Sequence, residues 1–364
     1  MMNEYFLFFA VGGFWTTLVL AMVFLFGGRI RNVKLRKYYR ARNVMGFAYT
    51  LFASIILFEL TTRFLGFHHA SFKTSILIFS TFQLLIFTHV NITLINIKFL
   101  SIRKLIYHLL PVTILGILSI LSHNLKWGFM ITSIIYYSLL LLYIASVVIF
   151  GFIFTKHYKR YKKRFDNYFT ENSANLLQWV YNSFLFILIA SFVIIITTLI
   201  FSDAVKIFPI LVIFYYTVYA IHFLNYKQIY YLMEPVLNEE VTVEADKQIK
   251  PSFLPFKQIE TVLKIWEEKK LFTSSRLTIA IVASQISTNR TYLSHYLNST
   301  KNKTFSDWIN ELRIEEAKRM MEADQSLKFE EISEKVGYTD KSYFSKCFLK
   351  YTGITVTQWR KSQN

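Results

Sequence analysis

The chain has 364 residues, 54% hydrophobic and 18% aromatic, with a formal net charge of +18 and a single cysteine. So apolar a composition excludes an ordinary soluble globule, and one cysteine excludes an intrachain disulfide or a zinc site built from several thiolates. Residues 1–254 carry 23 Lys/Arg against 10 Asp/Glu and residues 255–364 carry 18 against 13, so most of the basic excess lies among apolar runs and is explained first by membrane topology rather than by nucleic acid.

A membrane span needs roughly 20 mostly apolar residues. Seven runs approach that length: about Tyr5–Gly28, Val44–Gly66, Thr74–Ile97, Leu105–Ser122, Trp127–Thr155, Leu176–Phe201 and Ile207–Met233. The fourth is short, and the fifth is long enough to tilt or to extend beyond the bilayer. Loops one, three and five carry sixteen Lys/Arg, and the even loops hold only Lys73, Lys126 and Lys206. The positive-inside rule then puts the N-terminus outside and everything after Met233 in the cytoplasm. The first span is not a cleavable leader, because its basic cluster follows the apolar run.

Some polar residues fall within spans. Glu59 and Arg63 are four apart and share a helix face; His89 and Asn96 are seven apart on another. Intramembrane ionisable groups are costly and often functional, so these four are candidates for intramembrane signalling, and bundle hydrogen bonding is the plainer alternative. His68, His69 and His123 fall in external loops without metal-ligand spacing, and no HExxH, GxSxG or P-loop pattern occurs. No metal, cofactor or enzymatic activity is expected.

Residues 234–255 concentrate Glu234, Glu239, Glu240, Glu244 and Asp246 with Pro235, Pro251 and Pro255, the composition of a linker. Residues 256–364 contain a repeat. Tyr292-Leu293-Ser294 recurs as Tyr343-Phe344-Ser345 at an offset of 51, as does Thr304 to Trp308 in Thr355 to Trp359, and Val282 to Ile286 recurs at an offset of 50. Each copy reads as helix, tight turn, helix. Asn289 and Asp340 are N-cap candidates, and Gly337 suits a positive φ at the second turn. Leu293 and Leu297, and Phe344, Cys347, Phe348 and Tyr351, form inward stripes. The outward sets are then Arg290, Thr291, Ser294 and His295, and Lys341, Ser342, Ser345 and Lys346. Between the copies, Thr304 to about Ala323 forms one strong helix, capped by Thr304 with Asp307.

These residues carry a resemblance to the AraC/XylS family of bacterial transcription regulators. It rests on Asn289 to Ser294, Leu312 to Lys318, Val336 to Ser345 and Thr352 to Arg360, in order and with the right gaps, over about 100 residues. The resemblance implies two helix-turn-helix units entering successive major grooves, with the outward sets facing the bases. The chain departs from the family pattern in having Ser287 where the first turn usually has Gly and Val356 where the last motif usually has Pro.

The expected fold is all-α: a seven-helix transmembrane domain (1–233), a linker (234–255) and a cytoplasmic double helix-turn-helix domain (256–364), multi-pass in the inner membrane. The expected partners are double-stranded DNA, the lipid bilayer and an unidentified small-molecule or peptide signal, and a homodimer is compatible with this reading. Two alternatives remain open, a transporter-like protein with a fused regulatory domain and a passively anchored regulator released by proteolysis. Pro111 and Pro209, both read at span edges, lend the first little support.

Overall fold

The structure, a computed structural model, describes residues 2–30, 32–64, 72–96, 99, 101–170, 177–199, 208–237 and 256–363. Fourteen α-helices and no named strand occur among the described residues, so the all-α expectation holds. The chain divides into two compact units: Met1–Lys159 with Leu177–Leu237, and Arg160–Leu176 with Asn238–Asn364.

The first unit contains α1 (Met2–Phe26), α2 (Arg36–Phe64), α3 (Phe72–Ile95), α4 (Ile102–Asn124), α5 (Phe129–Asp166), α6 (Gln178–Leu199) and α7 (Phe208–Leu237), the end of α5 passing into the second unit. Thr74–Ile95, Ile102–Ser122, Phe129–Asp166 and Gln178–Ile196 are long and apolar enough to cross a membrane. Helices suit such sequences because a backbone without water must satisfy its own hydrogen bonds. The other three expected spans fall on α1, α2 and α7. Helix α1 is 25 residues long, and its continuously described apolar stretch is Ala10–Phe26. The fourth span is a full-length helix, and it runs through Pro111 rather than placing that residue at an edge. Helix α7 continues through Pro235 to Leu237, into the segment read as linker.

Close approach of α1 and α2 depends on Gly46, where a Cβ would press on the Leu25 side chain; small residues permit such packing in apolar surroundings. Buried Arg42 closes the C-terminal end of α1 by donating to the carbonyls of Gly27 (2.7 Å) and Gly28 (3.1 Å), a cation at the negative end of the helix dipole. Helix α3 is the interior helix. Its Ser80, Thr81, Gln83, Thr88, His89, Asn91 and Thr93 are all buried, and cross-helix bonds such as Tyr219 Oη to Asn91 Oδ1 (2.8 Å) satisfy part of that polarity.

The second unit adds α8 (Phe256–Glu268), α9 (Ile279–Gln285), α10 (Arg290–Thr300), α11 (Phe305–Ala323), α12 (Phe329–Lys335), α13 (Lys341–Thr352) and α14 (Val356–Gln363). It has two cores. Phe305, Trp308 and Ile309 of α11 join α8, α9 and α10 in the first; Ile314, Ala317 and Met321 of the same helix join α12, α13 and α14 in the second. One 19-residue helix thus belongs to both copies of the repeat.

Candidate nucleic-acid interface

The repeat found in the sequence is a repeat in space, down to single hydrogen bonds. Helix α9 is followed by Ser287 N–H to the Ser284 carbonyl (3.2 Å) and Thr288 N–H to the Ala283 carbonyl (2.8 Å). Helix α12 is followed by Gly337 N–H to the Glu334 carbonyl (3.0 Å) and Tyr338 N–H to the Ser333 carbonyl (2.9 Å). Both are the paired closing bonds of a Schellman helix end, which needs a left-handed residue. Gly337 takes φ +93°, and Ser287 takes φ +55° despite its Cβ.

The second helix of each copy starts on a side-chain cap. Asn289 accepts from Tyr292 N–H (2.7 Å), and Asp340 accepts from Ser342 N–H (2.8 Å) and Tyr343 N–H (3.3 Å), satisfying donors that every helix start leaves open. These caps fix which faces turn inward. Leu293, Tyr296 and Leu297 are buried on α10, as are Phe344, Cys347 and Phe348 on α13. Tyr351 is half-buried against the same core. Burial pushes the Cys347 thiol up, leaving it a small apolar filler rather than a nucleophile.

On the opposite face of α13, Lys341, Ser342, Ser345 and Lys346 are all exposed. On α10, His295 is exposed, while Arg290, Thr291 and Ser294 are half-buried. Five other lysines in the unit pair with carboxylates: Lys270 to Glu316 (2.6 Å), Lys301 to Glu267 (3.4 Å), Lys318 to Glu315 (3.0 Å), Lys350 to Asp307 (2.6 Å) and Lys303 to Glu311. Lys341 and Lys346 have no carboxylate partner among the described residues. Arg290 and Lys341 are also the first residues of their helices. A cation there opposes the helix dipole, whereas an anionic ligand at the same place is favoured.

The spacing of the two copies is held by contacts that sequence reasoning missed. Arg313, in the middle of α11, is fully buried and donates from Nε to the Phe272 carbonyl (2.9 Å) and from Nη2 to the Ser274 carbonyl (2.7 Å). Its guanidinium lies over the Tyr338 ring, 5.2 Å from the centroid. Gly337 packs so closely that a Cβ would overlap the Thr273 carbonyl oxygen. Asn310 donates to Tyr343 Oη (3.2 Å), and Asp307 accepts from Lys350 and from Tyr351 Oη (3.0 Å).

A second missed element is the segment after α5. Phe169 forms a bridge with Thr278; Ile279 N–H donates to the Tyr168 carbonyl (3.0 Å), Thr170 Oγ1 to the Leu277 carbonyl (3.1 Å) and Asn310 Nδ2 to the Thr170 carbonyl (3.1 Å). The Tyr168 ring carries the Arg290 guanidinium 5.9 Å from its centroid. Residues 168–170 are therefore built into the first helix-turn-helix, more than 100 residues away in sequence.

In the first unit, His89 is fully buried. Its Nδ1 is 2.8 Å from the Leu85 carbonyl and its Nε2 3.0 Å from Nδ1 of His108 on α4. Asn96 follows α3 and its Nδ2 is 3.1 Å from His157 Nδ1 on α5. The structure thus gives His89 and Asn96 separate partners on different helices. The side chains of Glu59 and Arg63 lie outside the described residues. Among the described residues no group of three or more His, Cys, Asp or Glu is placed to hold a metal ion.

Residues 282–362 match the family model described as a helix-turn-helix domain. The C-terminal part of the chain is a helix-turn-helix domain of the AraC type. The chain is similar to the transcriptional regulatory protein YesN of Bacillus subtilis, 33% identical over 76 residues, 21% of each chain. It is similar to the HTH-type transcriptional regulator YijO of Escherichia coli, 31% identical over 88 residues, 24% of this chain and 31% of that one. A third likeness is to histidine kinase P4 of Formosa agariphila, 25% identical over 145 residues, 37% of this chain and 10% of that one. The chain thus spans only about a tenth to a third of these relatives. No solved structure matches.

Proposed function

We propose that this protein is a membrane-held transcription regulator that binds specific double-stranded DNA through α10 and α13. The observation that carries the reading is the matched pair of capped helices, each opening on a cation and both fixed to α11. Arg290, Thr291, Ser294 and His295 form one reading face, and Lys341, Ser342, Ser345 and Lys346 the other. The likeness to named transcriptional regulators supports the same reading.

In this account the apolar helices sit in the inner membrane with the DNA-binding part in the cytoplasm, as the loop charges require. The membrane unit senses a signal, and Glu59, Arg63, His89 and Asn96 are its candidate intramembrane groups. Helix α5 supplies a covalent route for that signal, because residues just beyond it hold the first helix-turn-helix and Arg290.

The test is selection of bound duplexes from a random pool by the full chain in nanodiscs, followed by titration at several salt concentrations. Lys346→Ala and Arg290→Ala are each expected to weaken the selected site by about 1–3 kcal/mol while sparing random DNA, as loss of a guanine contact would. Equal weakening on every sequence, with a shallower salt slope, would reassign those side chains to phosphate. Failure to enrich any sequence would remove the DNA-reading role.

A further inference from the structure

We infer that the first unit carries a binding site for an anionic phospholipid, in a groove formed by α2, α3 and α4. The inference rests on the membrane reading above and names a ligand for it. The groove encloses about 870 Å³, within the range of pockets that hold small ligands. One long side of it is a single face of α2. Arg36, Arg40, Phe47 and Leu51 line it at spacings of four, seven and four residues, which keeps them on one stripe of a helix. At 1.5 Å per residue that stripe covers about 22 Å.

The stripe changes character along its length. Arg29, Arg36 and Arg40 stand at one end. Arg29 is steadied by bonds from Nη2 to Asn43 Oδ1 (3.0 Å) and to the Leu25 carbonyl (2.9 Å). Farther along, Phe47 and Leu51 face Leu105 of α4 across an apolar floor. No Asp or Glu is among the described residues that line the groove, and none of these neutralises the three guanidinium groups.

Three cations over an apolar trough complement one chemistry, a negatively charged headgroup with an acyl chain. Arginine forks suit phosphate oxygens, and an exposed trough whose Phe47 is 66% accessible is costly in water but matched to a lipid chain. The charge rule places this end of α2 on the cytoplasmic side, the leaflet in which anionic headgroups attract basic side chains. The occupant assigned is therefore a bilayer phospholipid rather than a protein segment.

The test uses the full chain purified in mild detergent, with phosphatidylglycerol and phosphatidylcholine of identical acyl chains titrated as probes and bound lipid counted by native mass spectrometry. Wild type is expected to retain phosphatidylglycerol at least five-fold better than phosphatidylcholine. The double variant Arg36→Gln/Arg40→Gln is expected to lose that preference. The control Lys162→Gln/Lys163→Gln, equal in charge removed, is expected to keep it. Leu51→Trp, which fills the floor, is expected to lower retention of both lipids. Equal retention of the two lipids by wild type, or equal loss in the control, overturns the site. Carbonate extraction of native membranes separates the two readings: a chain released by carbonate overturns the membrane reading and the site with it. A chain that stays in the membrane yet ignores headgroup charge overturns the site alone.

Discussion

Ser287 and Gly337 occupy the same place in two copies of one turn, and they differ in what that place costs. A residue with a Cβ at positive φ is strained by about 1 kcal/mol relative to glycine. Ser287→Gly is therefore expected to stabilise the first helix-turn-helix by about that amount, read as a roughly five-fold slowing of amide exchange in α9 and α10. Gly337→Ala is expected to do the opposite and more, because its Cβ would collide with the Thr273 carbonyl; exchange in α12 should accelerate by well over ten-fold. No change at either position would mean that the left-handed conformations are not what closes these turns. Asp307 makes a pH-dependent contribution. Partial burial works to raise its carboxyl, but bonds from Lys350, Thr304 and Tyr351 outweigh it and hold it below the usual carboxylate range. A lowered folded-state pKa contributes stability above the unfolded value, near 3.9, and that stability is lost as pH falls through the folded pKa. Asp307→Asn is expected to lower stability at pH 7 by about 1 kcal/mol or less, given its partial exposure, and to make progressively less difference as pH falls through the lowered folded pKa. A gap between the two melting curves that persists at low pH would contradict this. The caps of α10 and α13 could be seen in the sequence because a cap is a local pattern. The role of Arg313 could not, since its acceptors lie 39 and 41 residues away and no periodicity points to a backbone carbonyl.

At the scale of elements, α11 decides whether the two helix-turn-helix copies act as one. Its first half is buried in one core and its second half in the other, so inserting one alanine after Leu312 leaves each core's own helix register intact. The insertion rotates the two helix-turn-helix copies by about 100° relative to each other. Binding to a complete site is expected to fall at least 100-fold, toward the affinity of a half-site, because simultaneous engagement depends on geometry. Undiminished binding to the full site would show that α11 is a passive connector. The strong periodicity of this helix, and its Thr304–Asp307 cap, made it legible in the sequence. Of the seven expected spans, four are helices long and apolar enough to cross a membrane over their described residues, and the other three fall on α1, α2 and α7. Residues 168–170 were not legible at all. They sit in a basic stretch that looks like a loop, and their partners at Leu277, Ile279 and Asn310 are set by tertiary packing.

At the scale of the whole molecule, an apolar unit rich in buried polar groups and a duplicated helix-turn-helix share one chain, joined by α5 and by the segment after α7. The charge pattern of the loops, the cations at the starts of α10 and α13 and the shared α11 lead to one account, in which a chain held at the membrane reads DNA with two faces at once. A hydroxyl-radical footprint of the full chain in nanodiscs on its selected duplex tests this most directly. The expected result is two protected patches on one side of the helix, about one turn or roughly 34 Å apart, with Arg290→Ala erasing one patch and Lys346→Ala the other. Uniform protection along the duplex, fading only as salt rises and indifferent to both substitutions, would contradict the account.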